Sequence, residues 1–238
     1  MCTVTLIPNN KKFILTSNRD EAIGRETLPA DCYQVNGTRM LFPKDQVAGG
    51  TWISINENKQ MLCLLNGGYK DHVKMNHYRH SRGVVVTDIL GKKNLWEAME
   101  QYNCENLEPF TLVGVDWAND LSFYEMVWDG TKKHLRVLDA TIPHIWSSST
   151  LYTDQMKQMR VDWFADYQLN NEINKDSIIN FHKTGGIGNE FYDLLIKRGD
   201  LQTRSITQVY IENDLPIMKY EDLVVNQVYE TSLETVNI

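Results

Sequence analysis

The chain has 238 residues and a mass of 27.6 kDa, enough to bury a large core and still within what one layered domain fills, so a single domain over 1–238 is expected. Hydrophobic residues make up 42% and charged residues 23%, an ordinary globular mixture that argues against disorder, and the net charge of −7 disfavours nucleic acid and anionic lipid as partners. No stretch approaches ~18 uninterrupted apolar residues, and Met1 to Pro8 lack the basic region of a secretory signal, so a cytoplasmic protein without integral membrane association is expected.

The first third reads as strands. Cys2 to Ile7 and Phe13 to Ser17 form a hairpin through Pro8-Asn9-Asn10-Lys11. Thr51 to Ile55 alternates large and small groups, Asn56 to Lys59 turns the chain, and Met61 to Leu65 is an apolar run suited to a strand buried on both faces, with Gly49-Gly50 before the pair and Gly67-Gly68 after it. Asn36-Gly37-Thr38 reads as a tight turn. Helices are expected at Gly83 to Leu90 and Asn94 to Tyr102, followed by a meander of strands at Phe110 to Val115, Leu121 to Trp128 and Leu135 to Leu138. Thr153 to Leu169 places Met156, Met159, Trp163 and Tyr167 on one helical face, read as core, with Thr153 or Asp154 as cap. A shorter helix at Ser177 to Lys183 ends at Gly185-Gly186, and strands follow at Ser205 to Ile211, Ile217 to Tyr220 and Gln227 to Thr231. Segregated strands and helices predict an α+β architecture of antiparallel sheets covered by helices.

The four cysteines, at 2, 32, 63 and 104, show no C-x-x-C spacing and are expected as reduced thiols, Cys63 as a small buried hydrophobe. Cys2 differs. Removal of Met1 would give one residue both a thiol and a free α-amine, whose ordinary pKa values of about 8.5 and 7.7–8.0 suit proton exchange, so the amine can act as the base of a Cys-His pair. The hairpin brings Asn18-Arg19-Asp20-Glu21 back to that end: a guanidinium there favours thiolate and a carboxylate orients an ammonium, whereas the plainer reading is a solvated turn. His72, His77 and His80 match no zinc spacing and, with Lys70, Lys74 and Arg79, read as a basic loop beside the site. Gly185-Gly186-Ile187-Gly188 follows a helix and is not a dinucleotide fingerprint. No metal or other cofactor is expected.

Met1-Cys2, Asn18-Arg19-Asp20-Glu21 and Gly49-Gly50-Thr51-Trp52, with the weaker Leu65-Asn66, Ser81-Arg82-Gly83 and Thr203-Arg204-Ser205, resemble the NRDE family, also called the transport and Golgi organisation protein 2 family. That family is similar to the N-terminal-nucleophile hydrolases, close to the choloylglycine hydrolases and penicillin V acylases. The resemblance implies a four-layer αββα sandwich with Cys2 as nucleophile, Arg19 and Asp20 tuning it, Arg204 completing the polar site and the Asn66 side chain donating to the oxyanion. It also implies that Trp52 shapes a substrate pocket and that Ser149 stands where relatives tend to carry an Asn with an oxyanion role. The implied function is hydrolysis of a non-peptide C–N amide bond in a small molecule. The alternative is a non-catalytic protein that uses the same pocket to bind or move a haem- or lipid-like small molecule.

Overall fold

The computed structural model describes residues 3–233. Among these the chain runs β1 (Thr3–Asn9), β2 (Lys12–Ala22), β3 (Thr27–Val35), β4 (Thr38–Asp45), β5 (Ile53–Asn56), β6 (Gln60–Asn66), α1 (Arg82–Leu90), α2 (Leu95–Gln101), β7 (Phe110–Asp116), β8 (Ser122–Trp128), β9 (Lys133–Leu138), β10 (His144–Ser147), α3 (Asp154–Asn170), α4 (Lys175–Thr184), β11 (Lys197–Arg198), β12 (Leu201–Glu212), β13 (Leu215–Asp222) and β14 (Gln227–Ser232). One sheet has the order β10-β1-β2-β12-β13-β14, with β11 beside β12, and the other runs β3 through β9 in chain order. The described strand pairs are antiparallel.

Period-two alternation assigns each strand residue to a layer. Val4, Leu6, Phe13 and Leu15 of the first sheet meet Leu41, Ile53, Ile55 and Cys63 of the second in the core between the sheets. Ile7, Ile14 and Tyr210 face the other way, onto Phe164 of α3 and Ile178 and Phe181 of α4. Leu62, Leu64 and Leu112 pack under Val85, Val86 and Ile89 of α1 and Leu95 and Met99 of α2. The result is the expected four-layer αββα sandwich. No helix among the described residues is long and apolar enough to cross a membrane.

Three expectations change. The first hairpin turns only at Asn10 and Lys11, both at positive φ (46° and 67°), and β2 runs on to Ala22, so Asn18 to Glu21 is strand rather than turn. No strand is expected from the sequence at β3, β4, β10 or β11. The edge strand β3 carries Pro29 and Asp31, with a register shift between Leu28 and Asp31, and Pro in a sheet is tolerated at edges. On α3 the buried row is Met156, Arg160 and Phe164, with Met159, Trp163 and Tyr167 half-buried beside it. Cys2, expected to begin the first strand, lies outside the described residues.

Candidate functional site

Alternation along β2 divides the Asn18-Arg19-Asp20-Glu21 run between two layers. Arg19 follows Phe13 and Leu15 into the space between the sheets, whereas Asn18 and Asp20 follow Ile14 toward the helices. The buried Arg19 guanidinium stacks on Trp52, with Cζ 4.7 Å from the ring centroid, and Nη2 donates to Asp45 Oδ2 at 2.8 Å. Burial lowers the Arg19 pKa from its ordinary value, opposed by the charges of Asp45 and Glu21. Burial works to raise the Asp45 carboxyl, but the Ala48 amide and the Arg25 and Arg19 guanidiniums outweigh it and hold the group below the usual carboxylate range.

Arg19, Glu21, Arg25, Asp45, Trp52 and Asn66 line a cleft of about 80 Å³, closed on its far side by Gly50 and by Ser81-Arg82-Gly83 at the start of α1. Glycines make that wall possible. A Cβ on Gly50 would sit 2.6 Å from the Gly83 carbonyl carbon, and one on Gly83 would sit 2.9 Å from the Thr51 oxygen. After Asn66, Gly67 at φ +88° turns the chain against Ser149 and Thr150. Ser148 Oγ donates to the Asn66 carbonyl at 2.7 Å. Thr3, the first described residue, pairs with Asn18 on one side and Ser147 on the other. The ends of β1, β2, β6 and β10 therefore converge beside this cleft.

The helix-facing half of the run is buried in hydrogen bonds. Asn18 Nδ2 donates to the carbonyls of Leu194 (2.7 Å) and His182 (3.3 Å), which leaves Oδ1 to accept from His182 Nδ1 at 2.7 Å. The His182 proton thus sits on Nδ1, and Nε2 accepts from the Thr5 hydroxyl at 2.8 Å. Asp20 accepts from Tyr152 Oη at 2.5 Å and Thr203 Oγ1 at 2.6 Å. Behind Tyr152 lies the fully buried Arg160, its Cζ 3.7 Å from the ring centroid and its guanidinium donating to the Met156 and Asp193 carbonyls. Burial lowers the Arg160 pKa, opposed by Tyr152 and Asp20. Arg160 makes no ion pair among the described residues, so its charge is met by carbonyl oxygens, the ring face and the more distant Asp20.

Of the residues picked from the sequence, Arg19, Trp52 and Asn66 share the cleft, and Asp20 lies one strand position away on the opposite face. Arg204 is the bulged residue between Thr203 and Ser205, and its guanidinium donates to the Ile23 carbonyl, outside the cleft lining. Ser149 is buried with its hydroxyl donating to the Gly68 carbonyl, and Lys157 Nζ stands 3.3 Å from that oxygen. His72 meets Glu108, and His80 meets the Ser81 carbonyl and Tyr102; the described residues hold no cluster suited to a metal. Asp45, Tyr152, Arg160 and His182 were not singled out in the sequence. For Arg160 a signal existed, since it interrupts the apolar i, i+4 row Met156–Phe164 of a helix.

The architecture defines the class: this is the N-terminal-nucleophile hydrolase fold. Penicillin V acylase from Agrobacterium tumefaciens superposes over 99% of this chain and 87% of its own, at TM-score 0.60 and 10% identity. An N-acylethanolamine-hydrolyzing acid amidase ortholog from Caenorhabditis elegans superposes over 87% and 92%, at 0.59 and 13%. A variant of conjugated bile acid hydrolase from Clostridium perfringens does so over 99% and 94%, at 0.57 and 10%. At such identities the likeness is one of fold. Within that class the chain belongs to the Transport and Golgi organisation 2 family, whose sequence pattern matches residues 1–232. No curated protein matches it in sequence.

Proposed function

We propose that this protein hydrolyses a non-peptide C–N amide bond of a small molecule in the cytoplasm, with Cys2 as nucleophile once Met1 is removed. The observation that supports this most is the convergence at one cleft of the buried Arg19 guanidinium and Asn66 with the end of β1 at Thr3. Cys2 is joined to Thr3 by a peptide bond, which sets their Cα atoms ~3.8 Å apart. In this reading the Cys2 α-amine takes the thiol proton and the thiolate adds to the amide carbon. The Asn66 side chain donates to the resulting oxyanion. The C–N bond then breaks as the ammonium returns its proton to the leaving nitrogen, and water cleaves the thioester to release the acid. Arg19 favours the thiolate, and Asp20, held by Tyr152 and Thr203, orients the Cys2 ammonium.

A second reading, a binding protein with no turnover, is favoured by Ser149. Its proton is already committed to the Gly68 carbonyl, so it offers no ready second donor to an oxyanion.

The test is intact-mass analysis of untagged protein before and after a limiting dose of alkylating reagent at neutral pH. Burial pushes Cys63 up to about 12 and also raises Cys32 and Cys104, so the background from these thiols is low. Loss of Met1 with labelling confined to Cys2 is the expected result; retained Met1 or indifferent labelling would sink the amine-base mechanism. Cys2→Ala then separates the two readings, abolishing turnover in a hydrolase and leaving ligand affinity unchanged in a binding protein.

A further inference from the structure

Two N–H donors in the cleft are left without an acceptor among the described residues. Asp45 Oδ2 is taken by Arg19 Nη2 and Arg25 Nε, and Oδ1 by the Val47 and Ala48 amides. Glu21 accepts from the Ala22 amide and lies 3.6 Å from Arg25. On the donor side, Arg19 Nη1 and Trp52 Nε1 have no partner among the described residues, although the two side chains are 3% and 4% exposed. Buried N–H groups without partners are uncommon in folded proteins, and two on stacked side chains lining one cleft call for a shared explanation. The start of α1 forms another wall, with Ser81 capping Gly83 and no acidic residue in the first turn, so the positive end of the helix dipole is not offset there by a carboxylate on the helix itself.

We propose that this cleft is a carboxylate-binding subsite in which Arg19 Nη1 and Trp52 Nε1 donate to the two oxygens of a ligand carboxylate at the N-terminus of α1. Formal charge in the lining nearly cancels, because Arg19 and Arg25 face Asp45 and Glu21 while Arg82 pairs with Glu108 at 3.2 Å. Selection therefore comes from directed N–H groups, which distinguish a carboxylate from a neutral amide of the same shape. This deepens the hydrolase reading, on which it rests only in identifying the ligand as an amide substrate with a second, acidic group, or as the released acid.

The experiment is a titration of the 15N-labelled full chain with sodium acetate, and separately acetamide, followed at the Trp52 indole N–H and the Gly83 amide. Total ionic strength is held near ~0.1 M with sodium chloride so that screening stays constant. Acetate is expected to shift both signals along one saturating curve, with acetamide giving none. Trp52→Phe should weaken binding at least about threefold, read at Gly83. Octanoate assigns the source: binding about tenfold tighter than acetate marks the carboxylate as the head of a larger ligand, and equal binding marks a small free acid. No saturation, an equal response to acetamide, or unchanged acetate binding in Trp52→Phe would overturn the subsite. Thiol labelling of Cys2 is a separate measurement, so the subsite and the nucleophile can fail independently.

Discussion

His182 has no exposed surface, and burial pushes its imidazole down to about 3 from an ordinary 6.5. The unfolded chain takes up this proton as pH falls through 6.5 and the folded chain does not, so the stability this site contributes is complete above about pH 6.5 and is lost progressively toward pH 3. The shift sets an upper bound of roughly 5 kcal/mol on that loss. Asp45, with its pKa held down in the fold, adds a further loss at the acid end of the same range, as pH falls through the ordinary carboxylate value. Urea midpoints should therefore drop steadily between pH 7 and pH 4, and His182→Gln should flatten that limb while lowering stability at pH 7. On the same side of the sheet, Tyr152→Phe removes one of the two hydroxyls on Asp20 and should cost about 1–3 kcal/mol in denaturant unfolding. If Arg160 and Tyr152 act as one unit, Arg160→Met and Tyr152→Phe will combine non-additively in a double-mutant cycle.

Where elements meet, backbone contact leaves the least tolerance. Gly50→Ala would drive a Cβ into the Gly83 backbone, and because neither wall is a flexible side chain the Thr51-Trp52 segment must move away from α1. The expected cost is about 1–3 kcal/mol, read by thermal unfolding, together with altered Trp52 fluorescence. Helix α2 has no basic residue in its last turn, and Lys133 from β9 supplies one, its Nζ donating to the Met99, Glu100 and Tyr102 carbonyls. Lys133→Met should cost about 1 kcal/mol or more, with early loss of amide-exchange protection at the end of α2. Elements with one dominant signal were readable from sequence: the apolar run of β6, the capped helices, and the Asn36-Gly37 turn with both residues at positive φ. Asn18 to Asp20 reads as solvated because its burial depends on partners at positions 45, 152, 182 and 203, which no local pattern connects to it. Arg19 is legible from the hairpin that returns β2 to the start of the chain, and Trp52 and Asn66 from resemblance; the separation of Arg19 from Asp20 follows from strand period once β2 is known to continue through them.

The two sheets differ in how far apart in the chain their strands lie. In the second, β3 to β9 pair in chain order, whereas in the first β2 pairs with β12 and Gln208 bonds Thr16 across 192 residues. A chain truncated after residue 200 keeps every strand of the second sheet and loses β12 to β14. It should retain β-structure by far-UV circular dichroism but lose the near-UV signal of a fixed core, since Val4, Leu6, Phe13 and Leu15 no longer have Val209 and Met218 beside them. The same separation sets a clock on the ribosome. At about 5–20 residues per second, the segment that pairs with β2 is synthesised roughly 10–40 s after β2 itself. For that interval the first hairpin presents an unpaired strand edge, so yield in the cell should respond to chaperone supply and to translation speed between residues 22 and 201 more than to any change in the finished molecule's stability.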